Sequence, residues 1–247
     1  MKIIVCIKGI AVSEINKSDS DEEYKIGTKD MYALKTALVL KEKYRSEIVV
    51  ICMAPLSLIN VLKNLYIYDI NKIYLANDNL FVGADTFVTS LVLSKMIDKI
   101  GMADVILCGK CSDDSGTAQI GPSLAERMSC QLIRNLSAIE VNGQNIKCEC
   151  GLKNKKQVIE TKFPLVSTIE HPPTINKYPS LRNILNKKND IIIFNADDLG
   201  LSKNQIQSKT KVLKLFSYEK EEYGELIQGS ISEKITKLMN IIRLYGD

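Results

Sequence analysis

Four stretches follow directly after apolar runs, Lys8-Gly9, Met53-Ala54-Pro55, residues 77–86 and residues 109–119, and the last two set glycine, hydroxyl and acidic side chains there. The last reads GKCSDDSGTAQ and runs into Ile120-Gly121-Pro122. A polar, glycine-containing loop that delivers Thr117 to the start of a helix can offer free backbone N–H groups and a hydroxyl to an anion. A nucleotide phosphate is the natural guest. The spacing is neither that of a Walker loop nor GxGxxG, and a plain helix-capping loop would carry the same residues. Val82-Gly83-Ala84-Asp85-Thr86 repeats the device one strand earlier. Asp85 suits an N-cap, with Thr86 and Thr89 on the first turns behind it. Either Asp85 only caps its helix, or two adjacent strand ends present hydroxyls and amides to one crevice, which suits an extended ligand such as a dinucleotide.

Other constellations carry less. Cys108 and Cys111 form a CxxC, and with Cys148 and Cys150 they supply four thiols. Cys108 belongs to an apolar strand and the second pair is CxC, so core and hairpin cysteines are the better reading than zinc ligands. The CxxC also falls too late in the chain for a thioredoxin-like redox pair. His171, next to Pro172-Pro173, is the one histidine, and no Ser or Cys nucleophile signature accompanies it. A loop histidine is the plainer reading. An ATP-cleaving or adenylating enzyme would want an SGGxDS-like loop after the first strand, where Lys8-Gly9-Ile10-Ala11-Val12 stands instead.

The elements that must position these loops alternate. Continuous apolar runs predict strands over 3–7, 47–53, 72–76 and 104–109. Helical spacing predicts helices opening at Asp30 as a possible N-cap, and over 56–65, 86–100 and 117–128. Strands separated by helices imply right-handed crossovers and a parallel α/β sheet with helices on both faces. In such a sheet, ligands bind outside the carboxyl ends of the strands, where all four stretches fall. Beyond Cys130 the pattern changes to strands over 137–141 and 145–150, joined by Asn142-Gly143 as a type I′ hairpin turn. Further short strands follow over 157–161 and 165–169, then a Pro-punctuated loop over 171–188 and a strand over 191–194. After the turn Asp197-Asp198-Leu199-Gly200, residues 202–211 are polar and linker-like. An amphipathic helix with Ile231, Ile235, Leu238, Met239 and Ile242 on one side ends the chain. These features divide it into a nucleotide-binding domain over 1–190 and a C-terminal strand, linker and helical arm over 191–247.

Bulk properties fit an ordinary soluble domain. The chain has 247 residues, 45% hydrophobic and 25% charged, with a net charge of +4. That balance excludes disorder over the whole chain. The charge is too small for a surface built around nucleic-acid phosphates, and with no Trp and 10 Tyr a stacking platform for bases is poorly supplied. No apolar run reaches the roughly 18 residues of a membrane helix. Residues 1–8 read as a strand of a cytoplasmic protein and not as a signal peptide. Seven scattered cysteines are the usage of a reducing compartment.

Taken together, the motifs resemble the β subunit of electron transfer flavoproteins over nearly the whole chain. The resemblance rests on IIVCIK, DMYALKTALVLKEKY, EIVVICMAP, GADTFVTS, LCGKCSDDSGTAQIGPSLAE, KYPSLRNILNKK, ADDLGL and SKTKV, in that order. It implies a Rossmann-like domain paired with an α subunit that carries the electron-transferring FAD. In the simple type the β subunit binds AMP; in the electron-bifurcating type it binds a second FAD in the same pocket, which receives hydride from NADH. GADTFVTS and Thr117-Ala118-Gln119-Ile120-Gly121-Pro122 resemble the bifurcating type, so the expected cofactor is FAD, with AMP as the alternative. Carried onto these motifs, the cofactor contacts are Ile7, Lys8, Cys52, Met53, Asp85, Thr86, Thr89, Cys108, Gly109, Asp114, Thr117, Ala118, Gln119 and Gly121. Gly116 stands where the family has a second Asp, which keeps open a subunit with a degenerate nucleotide site. Tyr178-Pro179-Ser180-Leu181 resembles the family's recognition loop, with Tyr178 and Leu181 as docking residues for a flavin-dependent acyl-CoA or related dehydrogenase. The C-terminal helix resembles the arm that packs against the α subunit. No catalytic residue is expected in this chain by itself; NADH oxidation would belong to the assembled complex.

Overall fold

Lys2–Ile7 alternates its burial between two faces: Ile3, Val5 and Ile7 enter one apolar cluster, Ile4 and Cys6 the other. A strand buried on both sides must lie in the middle of a covered sheet. In the computed structural model, which describes residues 1–12, 23–143, 145–152, 155–175, 178–185, 188–210, 213 and 226–245, this strand (β1) is the centre of a seven-stranded sheet. The others are β4 (Glu47–Met53), β5 (Lys72–Ala76), β6 (Val105–Gly109), β7 (Gln131–Ile133), β11 (Leu165–Ile169) and β12 (Ile191–Phe194). The order is β12-β5-β4-β1-β6-β11-β7 and every neighbouring pair is parallel. The chain winds outward from β1 through β4 and β5, then crosses back to β6 on the other side of β1. The strand order therefore reverses at the carboxyl end of β1, the topological switch point where ligands of such sheets bind.

Helix α1 (Thr28–Tyr44) covers one face together with α2 (Ile59–Asn64), burying Ala33, Leu34, Ala37, Leu40 and Leu62 against Val5, Val50 and Leu107. Helices α3 (Thr86–Ile100) and α4 (Ile120–Arg127) cover the other with Val88, Val92, Met96 and Leu124 against Ile4, Ile51 and Ile106. Each of the buried Val, Leu, Ile and Met side chains contributes about 1.5–3 kcal/mol of apolar transfer. The α/β parallel sheet with helices on both faces is thus as expected from the sequence. A three-stranded antiparallel sheet, β8 (Leu136–Asn142), β9 (Asn145–Leu152) and β10 (Lys155–Thr161), packs on the α1 side through Ile139, Ile146 and Cys148. The Tyr44 hydroxyl ties it there, donating to the Ile139 carbonyl (3.3 Å) and accepting from the Val141 N–H (3.1 Å).

Several boundaries differ from the sequence reading, each for a local reason. Helix α1 opens two residues before Asp30, with Gly27 at the N-cap and no side-chain cap of its own. Helix α4 opens at Ile120 and not at Thr117, because Ala118 is left-handed (φ 57°) and cannot enter a helical turn. Asn142, expected in the turn, pairs with Asn145 and ends its strand, with Gly143 (φ 64°) following it; Gln144 lies outside the described residues. Part of the expected 13–28 loop is a strand, β3 (Glu23–Ile26), antiparallel to β2 (Gly9–Val12). A short helix, α5 (Leu181–Leu185), interrupts the Pro-rich loop.

The compact unit runs to Thr210. Strand β12 belongs to its sheet, paired with β5, and residues 202–210 are held against it by Ile206, buried, and by bonds to Asp85. The unit boundary thus falls 20 residues beyond the expected 190. The second unit, Lys211–Asp247, contains α6 (Ile231–Tyr245). This helix opens with a capping box: Ser230 Oγ accepts from the Glu233 N–H (3.4 Å) while Glu233 Oε2 accepts from the Ser230 N–H (2.8 Å).

Candidate functional site

At the switch point the β1 and β6 strand ends are bridged by one carboxyl. Asp30, in the first turn of α1, accepts the Lys8 N–H at Oδ2 (2.8 Å) and the Gly109 N–H at Oδ1 (3.2 Å). These are the amides that a parallel ladder leaves open where a strand stops. A side chain at Gly109 would collide with Asp30 Oδ1 at 2.3 Å, which explains the glycine there. Burial pushes the Asp30 carboxyl up to about 7, outweighing the two amide bonds that pull it down.

The loop after β6 is tied down residue by residue. Lys110 Nζ meets Glu170 Oε1 at 2.7 Å, and Lys29 Nζ donates to Cys111 Sγ at 3.2 Å. Asp113 Oδ2 accepts the N–H and the hydroxyl of Thr28 (2.9 Å each), supplying from a distant segment the cap that α1 lacks. Asp114 pairs with Lys8 Nζ at 2.5 Å. Although burial raises the Asp114 carboxyl, its bonds to Lys8, Ser112 and the Ser115 N–H hold it down at about 2, so it is ionised. Gly116 (φ 60°) and Ala118 (φ 57°) then turn the backbone twice into the left-handed region. Among the described residues, no carbonyl or side chain accepts from the amides of Thr117, Ala118 and Gln119. Three free N–H groups at such a double turn and ahead of α4 form an anion cradle.

Facing this loop is the start of α3. Asp85 Oδ1 caps the helix by accepting the Val88 N–H (2.9 Å), and its Oδ2 accepts the N–H groups of Lys209 (2.6 Å) and Thr210 (3.1 Å). Asp85 thus caps the helix and, which the sequence reading did not anticipate, also pins the chain's return. Burial raises its carboxyl, but these backbone bonds outweigh that and leave it below the usual range. The Thr86 hydroxyl donates to Gln119 Oε1 at 2.6 Å, joining the two strand ends.

Together these groups enclose a cavity of about 560 Å3. It brings together Ile7, Lys8, Met53, Asp85, Thr86, Thr89, Cys108, Gly109, Thr117, Ala118 and Gln119. Three other expected contacts lie elsewhere. Cys52 is fully buried on the α1 side of the sheet, where burial pushes its thiol up to about 12. Gly121 is buried against β11: a Cβ there would sit 2.4 Å from Thr168 Cγ2, so its smallness serves helix–strand packing. Asp114 does not line the cavity itself but is bonded to Lys8, Ser112 and Ser115, which do. The sequence reading missed Asp30, Cys6, Cys111, Ser112, Ser115 and Thr210, all of which line the cavity. Cys6 and Cys108 are cross-strand partners in its floor, and their hydrogen bond and burial push the Cys6 thiol well up, leaving it a neutral apolar contact. Tyr178 and Leu181 lie outside this cavity, strongly exposed at the 178–185 segment, where Ser180 Oγ accepts from the Asn183 N–H (3.1 Å).

Comparison with known proteins agrees with this geometry. The family described as Electron transfer flavoprotein domain matches residues 17–199. The electron transfer flavoprotein subunit beta of Thermoanaerobacterium thermosaccharolyticum is 32% identical over 219 residues, covering 87% of this chain and 84% of that one. The protein of the same name from Clostridium acetobutylicum is 28% identical over 245 residues and 94% of each chain. The caffeyl-CoA reductase-Etf complex subunit CarD of Acetobacterium woodii is 28% identical over 252 residues and 95% of each chain. A parallel sheet with its cavity at the switch point, matched across most of its length by these proteins, establishes the chain as a β subunit of the electron transfer flavoprotein family, the partner of an α subunit in electron transfer.

Proposed function

We propose that the cavity binds FAD, and that the αβ pair works in electron bifurcation with NADH as hydride donor and a flavin-dependent CoA-ester dehydrogenase or reductase as partner. The observation that carries this reading is the extent of the cavity. It runs from the β1 and β4 strand ends at Ile7 and Met53, past the amides of Thr117–119, to Thr86 and Thr89 at the head of α3. The free amides suit a pyrophosphate, the strand-end backbone suits an adenine ring, and the Thr86 and Thr89 hydroxyls suit a ligand that continues beyond the phosphates. When bound, the flavin supplies the redox chemistry; the chain's residues hold it and fix its surroundings. The neutral Cys6 thiol and Leu93 keep the floor apolar, while Lys8 offsets phosphate charge. The partner class is supported by the name of the Acetobacterium woodii relative and by the exposed Leu181 and Tyr178. All seven cysteines are free, which accords with a cytoplasmic setting. Nucleotides released from the purified αβ complex test the reading: two flavins per pair are expected. One flavin with one AMP would replace it with the simple type, and one flavin with no nucleotide would mean a degenerate site.

A further inference from the structure

Among the described residues, Asp30 is the one acidic side chain that is buried, and it lines the cavity. We propose that Asp30 is a ligand-binding group of this cavity and that an anionic nucleotide enters together with one proton, taken from solvent by the Asp30 carboxylate. The proposal rests on the reading of the cavity as a nucleotide site and goes beyond it by naming the group that answers the ligand's charge.

The geometry allows the step without disturbing the strand ends. Each carboxylate oxygen accepts one amide, from Lys8 at Oδ2 and from Gly109 at Oδ1, and each keeps a further acceptor site. A proton can therefore be added to either oxygen while both amide bonds persist. Protonation converts an acceptor-only group into a hydrogen-bond donor inside the cavity, which is what a phosphate or ribose oxygen requires.

The charges around Asp30 leave the balance to the ligand. Asp113, on the loop after β6, opposes ionisation, while Lys8, at the end of β1, favours it. The Lys8 ammonium is shared with Asp114. Lys29, next along α1, is turned to Cys111, and Glu170, beyond β11, is held by Lys110. The thiols of Cys6 on β1 and Cys52 on β4 are pushed up and stay neutral. With burial already raising the Asp30 carboxyl to about 7, a further negative charge in the same cavity drives it fully to the neutral form near and above neutral pH.

Calorimetric titration of the full-length αβ complex, freed of this chain's nucleotide, tests the proposal with FAD and with AMP. At pH about 8 the AMP phosphate is already fully ionised. Measured in two buffers of different ionisation enthalpy, binding is expected to take up close to one proton, and affinity is expected to fall about tenfold per pH unit above neutrality. The D30N variant is expected to bind without proton uptake and with a flat pH profile. Uptake near zero in the wild type, or undiminished in D30N, would overturn the inference and leave the cavity reading intact. Should D30N not fold, infrared difference spectra of the wild type decide the matter. A protonated-carboxyl band gained with ligand supports the proposal, and its absence overturns it. If neither nucleotide binds, the cavity reading and this inference fall together.

Discussion

Confining the Asp30 carboxyl beneath the strand ends opposes its charge, and this has a definite sign for stability. Its folded-state value of about 7 lies above the ordinary 3.8. Between those values the unfolded chain has released the proton that the folded chain keeps, so stability falls as pH rises from about 4 to 7. At about 1.4 kcal/mol per pH unit, the loss is at most about 4 kcal/mol. Asp114 works the other way. Held at about 2 by its bonds to Lys8, Ser112 and Ser115, it stabilises the fold above pH about 4, and that contribution is lost as pH falls toward 2. The two windows barely overlap, so urea unfolding of the nucleotide-free protein separates them. The stability of wild type relative to D30N is expected to decline by a few kcal/mol from pH about 4.5 to 7.5, and an unchanged difference would show that Asp30 is ionised throughout.

At the scale of elements, the approach of α4 to β11 sets the position of the anion cradle. Gly121 permits that approach, since a Cβ there would meet Thr168 Cγ2 at 2.4 Å. G121A is expected to cost about 1–3 kcal/mol by overpacking. Adding T168S, which removes that methyl and keeps the hydroxyl accepting from the Asn135 N–H, should restore most of the loss in thermal unfolding. The same elements show what was legible beforehand. Helix α3 was readable to the residue, because Asp85 caps it and Gly101 (φ 93°) stops it, both local signals. The central strands were readable as unbroken apolar runs. The start of α1 was not, because its cap is Asp113, 85 residues away along the chain. Nor was the left-handed turn at Ala118, which alanine does not advertise. Eleven of the cavity's residues could be named since strand ends and a resembling loop point to one crevice, whereas placing Cys52 there overlooked alternation. Cys6, Ile51 and Met53 belong to one face of the sheet and Cys52 to the other.

For the molecule as a whole, the division at Thr210 separates what holds the cavity from what lies beyond it. Removing residues 211–247 is expected to leave the sheet unit folded, with unchanged far-ultraviolet dichroism and a cooperative melt. Pairing with the α subunit is expected to weaken, as the helix α6 carries Ile231, Ile235, Leu238, Met239 and Ile242 exposed along one side. Undiminished co-purification with the α subunit would remove the arm from the interface. Among the described residues no helix is long and apolar enough to cross a membrane. The clamp of Asp85 on Lys209 and Thr210 also bears on the order of events during synthesis. Chains fold from the N-terminus as they emerge, and β1, β4, β5 and β6 can assemble when half the chain is out. The wall that Thr210 adds to the cavity is in place only after residue 210 has left the ribosome. That wall is therefore added after β12, the last strand of the sheet, has already been made.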